Sequence, residues 1–176
     1  MRWTERVLSL APWAVSSTFI ATVAVAAALV EFAFPLGSAL FPFGIAISWL
    51  VCGAPMLTWP YALFDVAAGK TFTPSQHRHG RRYFVATAVL GLAWCGLASF
   101  ITSGALPYSM VAQFGALALL SLVVGVNLLR AVGVTVHALH ASEGTEATIG
   151  TFMQIFYFPL GIWFLRSRVE RLIFQP

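Results

Sequence analysis

Between residues 12 and 130 this chain holds four apolar runs of roughly 20 residues or more, the length a helix needs to cross the hydrocarbon core of a bilayer. They lie at about residues 12–33, 40–66, 83–102 and 107–130. The centre of the first, residues 21–30, carries no charge, and neither do the third run and most of the fourth. Composition removes the soluble alternative. Only 9% of the residues are charged and 59% are apolar, against about 25% charged in a soluble domain, whose surface must face water. An exterior of this kind faces lipid, where each segment must satisfy its own backbone hydrogen bonds. The sequence therefore predicts an all-α integral membrane protein with a four-transmembrane-helix bundle.

Proline and glycine mark the boundaries. Phe34-Pro35-Leu36-Gly37-Ser38 has turn chemistry. Pro55 and Pro60 fall inside the second run, where each removes a backbone donor. A polar stretch at 69–82 reads as the inner loop. The link at 103–106 is short, and Pro107 suits a first helical turn, so the third and fourth helices should form an antiparallel hairpin. Helical periodicity continues past Arg130 to about residue 141, and 142–148 is polar. The last apolar stretch, 151–165, would reach only about 22 Å as a helix, short of the core of roughly 30 Å. It contains Pro159 and Gly161, and six aromatics: Phe152, Phe156, Tyr157, Phe158, Trp163 and Phe164. Arg166, Arg168 and Arg171 follow. It reads as an interfacial or re-entrant amphipathic helix in a cytoplasmic tail, 142–176.

Charge orients the chain. All ten Lys and Arg fall on one side of a four-span arrangement. Arg2 and Arg6 precede the first span, Lys70, Arg78, Arg81 and Arg82 separate the second from the third, and Arg130, Arg166, Arg168 and Arg171 follow the fourth. The excess of basic residues on cytoplasmic loops places both termini inside. The expected location is a bacterial cytoplasmic membrane, with the N-terminal run kept as an uncleaved span. The net charge of +4 sits at helix ends, so the expected partners are the bilayer and its anionic headgroups rather than nucleic acid. Cys52 and Cys95 have no close partner in sequence and read as packing residues.

The four histidines all fall on the basic side. His77 and His79 form an H-x-H, and His137 and His140 an H-x-x-H whose members share a helix face. Neutral imidazoles so placed could ligate a transition metal, with Glu143, Glu146 or Asp65 in reach. The more ordinary reading is headgroup-level polar residues or cations at a helix C-terminus, so no cofactor is expected. Asn127, Arg130 and His137 fall close together on one helical face, and with Asp65 they form a candidate polar face. Ala24 and Ala28, Gly91 and Cys95, and Ser121 and Gly125 have the small-xxx-small spacing that lets helices approach closely in lipid.

No G-x-S-x-G, H-E-x-x-H, Walker loop or dinucleotide fingerprint occurs. Short outer loops, small-residue faces and no catalytic set predict a non-enzymatic membrane protein that works in an assembly, as a homo-oligomer or an accessory subunit. A pore would need several copies. Its lining could draw on Ser16, Ser17, Thr22, Ser48, Thr58, Thr87, Ser99, Gln113, Ser121 and Asn127. The alternatives are a membrane enzyme or metal-handling protein using the histidines, and a small transporter. The transporter reading is weakened because no charge lies mid-membrane and no repeat is visible.

Overall fold

Local chemistry at residues 72–76 determines how the second and third runs join. Gln76 N donates to Thr73 Oγ1 at 3.4 Å, and Thr73 N donates to Gln76 Oε1 at 2.9 Å. This reciprocal box, followed by Pro74 at the first helical position, starts a helix at once. The polar stretch expected to be an inner loop at 69–82 is therefore helix almost throughout, and the turn shrinks to Phe72 and Thr73. The box was legible in Thr73-Pro74-Ser75-Gln76; the polarity of the stretch masked it.

The computed structural model describes residues 3–34, 41–102, 109–157 and 160–174. The turn expected at 35–38, the link at 103–106, the start at Pro107 and Pro159 lie outside these residues. The described helices are α1 (Trp3–Ser9), α2 (Pro12–Ala28, continued by a π-turn at Leu29–Ala33), α3 (Phe41–Thr71), α4 (Pro74–Thr102), α5 (Met110–Glu143), α6 (Ile149–Phe156) and α7 (Gly161–Phe174). No strand occurs among the described residues.

Within α3, α4 and α5 lie segments long and apolar enough to cross a membrane; a fourth follows if α1 and α2, bent by 97° at the break between them, count as one span. α5 has 34 residues, about 51 Å at 1.5 Å per residue, and the 31-residue α3 is about 46 Å. Both exceed the hydrocarbon thickness, so each projects beyond it. The segment expected as one helix at 151–165 is instead the end of α6, a break, and the start of α7, which runs on to Phe174.

The buried core gathers at the basic end of the molecule. Trp59, Leu63, Phe64 and Ala67 of α3, Phe84 of α4 and Ala131, Val136 and Leu139 of α5 meet Leu8 of α1, Ile155 of α6 and Leu165, Val169 and Leu172 of α7. α3 is the hub, touching α1, α2, α4, α5 and α7. Away from this end the helices pack thinly. Val111, Leu119 and Leu122 of α5 are exposed, as are Val89 and Leu92 of α4. A lipid-facing surface has that character.

Candidate functional site

Two polar clusters at the basic end connect the helices of the core. The first centres on Asp65 of α3. Thr4 of α1 donates to its Oδ2 at 3.1 Å, and Nε2 of His77, on α4, lies 3.1 Å from its Oδ1. That second contact is an ion-pair distance when the imidazole is protonated. The His77 ring also stacks on Phe64, with centroids 5.4 Å apart. One carboxylate thus meets side chains of two other helices, by a hydrogen bond from Thr4 and by proximity to His77, whose Nε2 makes no hydrogen bond.

The second cluster joins α5 to the tail. Gly144, at φ +67°, ends α5 in the left-handed conformation that glycine adopts without steric cost. Thr148 caps α6 by accepting from Thr151 N. These turns bring His140, Glu143 and Thr151 to Arg168 of α7. Arg168 Nε donates to both Glu143 oxygens, at 2.8 and 3.1 Å, and its Nη2 also donates to Glu143. Its Nη1 donates to Thr151 Oγ1 at 2.7 Å. Arg168 Nη2 lies 3.3 Å from His140 Nε2, and a guanidinium only donates. The same nitrogen lies 2.9 Å from Thr151 Oγ1, and Nδ1 lies 2.8 Å from Thr145 Oγ1; accepting from Arg168 requires the neutral ring to carry its proton on Nδ1. Burial, then the Arg168 charge, hold the His140 imidazole below its ordinary range against the opposing pull of Glu143. Burial alone would raise the Glu143 carboxyl; hydrogen bonds and charge from Arg168, with His140 and Arg171 adding to them, hold it below the ordinary range.

Further contacts anchor α7 to the first two helices. Arg166 Nη1 donates to the Leu10 carbonyl at 2.9 Å, capping the end of α1. Trp163 Nε1 donates to Ser16 Oγ at 3.3 Å.

The four histidines separate. His77 joins Asp65, His79 pairs with Tyr83 Oη at 3.0 Å on its own helix, His137 lies exposed beside Phe72, and His140 belongs to the Arg168 cluster. Among the described residues no three His, Cys, Asp or Glu side chains come together as metal ligands. The candidate polar face also divides: Asn127 Nδ2 donates to the Val123 carbonyl of its own helix at 2.9 Å, Arg130 is exposed, and Asp65 sits with Thr4 and His77.

The small residues occupy an unexpected place. Gly91 and Cys95 of α4 and Ser121 and Gly125 of α5, with Gly53 and Ala54 of α3, line an apolar cleft of about 500 Å³. A Cβ added at Gly53, Gly91 or Gly125 would meet nothing within 4 Å. These glycines therefore open a space between helices instead of bringing two backbones of this chain together. The polar contact across it is Trp94 Nε1 donating to Ser121 Oγ at 2.7 Å. On α2, Ala24 and Ala28 face outward, and the close approach is at Ala26, whose carbonyl accepts from Ser48 of α3 at 3.1 Å. Several hydroxyls proposed for a pore lining donate to carbonyls of their own helix: Ser17, Thr22, Thr58, Thr87, Ser99 and Ser121. Such bonds satisfy a hydroxyl locally, without building a polar path.

Comparisons with protein-family models, curated proteins and solved structures find no match to this chain.

Proposed function

We propose that this chain is a non-enzymatic membrane protein that works in an assembly, with further copies of itself or as an accessory subunit of a larger membrane complex. The observation that carries the reading is the apolar cleft between α3, α4 and α5, whose lining includes Gly53, Gly91, Gly125 and Ser121. Lipid does not drive helices together by the hydrophobic effect; close packing at small residues does. A cleft of this lining suits a helix from outside the chain. By contrast, the polar groups of the inner end serve to join α1, α3, α4, α5 and α7 to one another. The scatter of the histidines weighs against the metal-handling alternative.

In this reading the protein has four spans with both termini cytoplasmic, and its basic residues meet anionic headgroups. α1, α6 and α7 then form a collar at the inner face, and α6–α7 does not cross the bilayer.

Gly125→Leu tests the proposal. A side chain there has room within the monomer, so helicity and thermal stability are expected to hold while the cleft is blocked. The wild type is expected to migrate as an oligomer or with a co-purifying membrane subunit in mild detergent, and the variant as a monomer. A wild type that is monomeric both in mild detergent and on cross-linking in native membranes, without any partner, would refute the assembly.

A further inference from the structure

We propose that the docking of α7 on α5 and α6 is an acid-sensitive latch, in which a proton taken up by His140 sets a second cation against Arg168 and frees the C-terminal half of α7. This inference stands apart from the assembly reading and does not depend on it. Arg168 is the residue that joins the three helices. Its guanidinium reaches Glu143 at the end of α5 and Thr151 in the first turn of α6. Its Nη2 lies 3.3 Å from Nε2 of His140. His140 is only 5% exposed, so water and salt screen this contact little.

The two hydroxyls beside the ring are indifferent to its charge. Nδ1 lies 2.8 Å from Thr145 Oγ1 and Nε2 lies 2.9 Å from Thr151 Oγ1, and a hydroxyl can donate or accept. Arg168 has no such choice, because a guanidinium only donates and is always charged. An imidazolium presents two N–H donors and a positive charge. Whichever nitrogen carries the proton of the neutral ring, a second proton turns the Arg168 contact into one between like charges. Arg168 faces the ring from α7 and Glu143 from its own helix, and they pull its affinity for a proton in opposite directions. Glu143 is engaged by Arg168 through both oxygens, and Arg171 of α7 also bears on it. α6 contributes no ionisable side chain. Lys70 of α3 lines the same cavity as Glu143 and Arg168, and is a further cation. Arg166 and Glu170 pair with each other, and His137 and Glu146 are exposed. Burial, then Arg168, prevail over Glu143, so the docked ring binds a proton less readily than an ordinary histidine.

The contacts of α7 fix where it opens. Trp163 and Arg166 tie its first half to Ser16 and Leu10. Arg168 begins the second half, with Val169 and Leu172 buried beyond it. Weakening the Arg168 contacts therefore loosens residues 168–174 while the first half stays held by α1 and α2. In the orientation proposed above, the latch responds to acid on the cytoplasmic side.

The experiment follows backbone hydrogen exchange of the full-length protein in a non-ionic detergent. Rates are expressed as protection factors, so that the intrinsic pH dependence of exchange cancels, and α4 serves as the internal reference. From about pH 7 to about pH 5 the wild type is expected to lose protection in residues 168–174 by about threefold or more, because a ring that binds its proton more readily when released makes opening easier as the pH falls. α4 is expected to keep its protection. His140→Gln cannot titrate, and its protection in 168–174 is expected to stay level over the same range. Arg168→Gln is expected to lower protection at every pH but to shrink the acid response, since the facing charge is gone; it covers the case in which His140→Gln does not fold. Unchanged protection of 168–174 in the wild type, a parallel loss in α4, a wild-type response retained in His140→Gln, or a full acid response in Arg168→Gln overturns the proposal.

Discussion

At Gly80 two opposing effects can be weighed. Alanine is normally the better residue inside a helix, by about 1 kcal/mol. Here, though, a Cβ would stand 2.4 Å from Cζ and 2.7 Å from Cε2 of Phe64. That ring is fully buried, packed by His77, Phe72 and Phe84, and has no room to swing. Overpacking a core costs about 1–3 kcal/mol, which outweighs the propensity gain. Gly80→Ala is therefore expected to lower the unfolding midpoint, whereas Gly91→Ala, with open space around its Cβ, is expected to leave it unchanged or raise it. Thermal unfolding of the two variants in one detergent checks the pair. His140 supports a second prediction at this scale. Burial, then the Arg168 charge, lower the pKa of its imidazole, so the unfolded chain takes up the proton more readily. Stability rises with pH wherever the unfolded state binds more protons. The contribution is fully present above an ordinary histidine pKa of about 6.5 and falls as the pH drops from there toward the depressed value. Wild type is expected to lose stability between about pH 7 and pH 5, and His140→Gln to show a shallower slope. Midpoints measured across that range decide it.

Among the elements, α7 depends most on a few polar bonds. Arg168 holds it to α5 and α6, and Arg166 and Trp163 hold it to α1 and α2. Removing one partner of a fully buried ion pair costs about 3–5 kcal/mol, and partial exposure of this pair reduces that to about 1–3. The side chains of Arg168 and Glu143 are 17% and 21% exposed. Arg168→Ala is thus expected to release α7 locally. Tryptic cleavage after Arg166 and Arg171 should accelerate by about fivefold or more, since each 1.4 kcal/mol makes opening about tenfold easier. Unchanged cleavage would mean that the apolar face of Ile162, Leu165, Val169 and Leu172 holds the helix without the ion pair. The helices themselves differ in how visible they were. α3 and α5 declared their apolar lengths. The start of α4 lay hidden in a polar stretch because the signal there is a capping box, not hydropathy. The pairing of α7 with α5 was not legible at all, since Arg168 and Glu143 are 25 residues apart and nothing local selects one carboxylate over another.

For the molecule as a whole, all ten basic residues on one side predict that a reporter fused after Ala105 faces outward and one fused after Pro176 faces the cytoplasm. Alkaline phosphatase activity at the first position and a fluorescent cytoplasmic reporter at the second are the expected result; an external C-terminus would overturn the arrangement. The sequence by itself determined that the chain is helical and apolar enough for a membrane, because that follows from the length of uncharged runs and the absence of a polar exterior. Charge position alone predicts an orientation. Only the tertiary structure decided where the core lies. α3 and α5 are each longer than the hydrocarbon core is thick, and α1, α6 and α7 pack around their basic ends, where burial concentrates. It also decided what the small residues do. Spacing places Gly91, Cys95, Ser121 and Gly125 on helix faces, but whether two such faces touch or leave a cleft depends on helix separation, a tertiary property that local sequence does not encode.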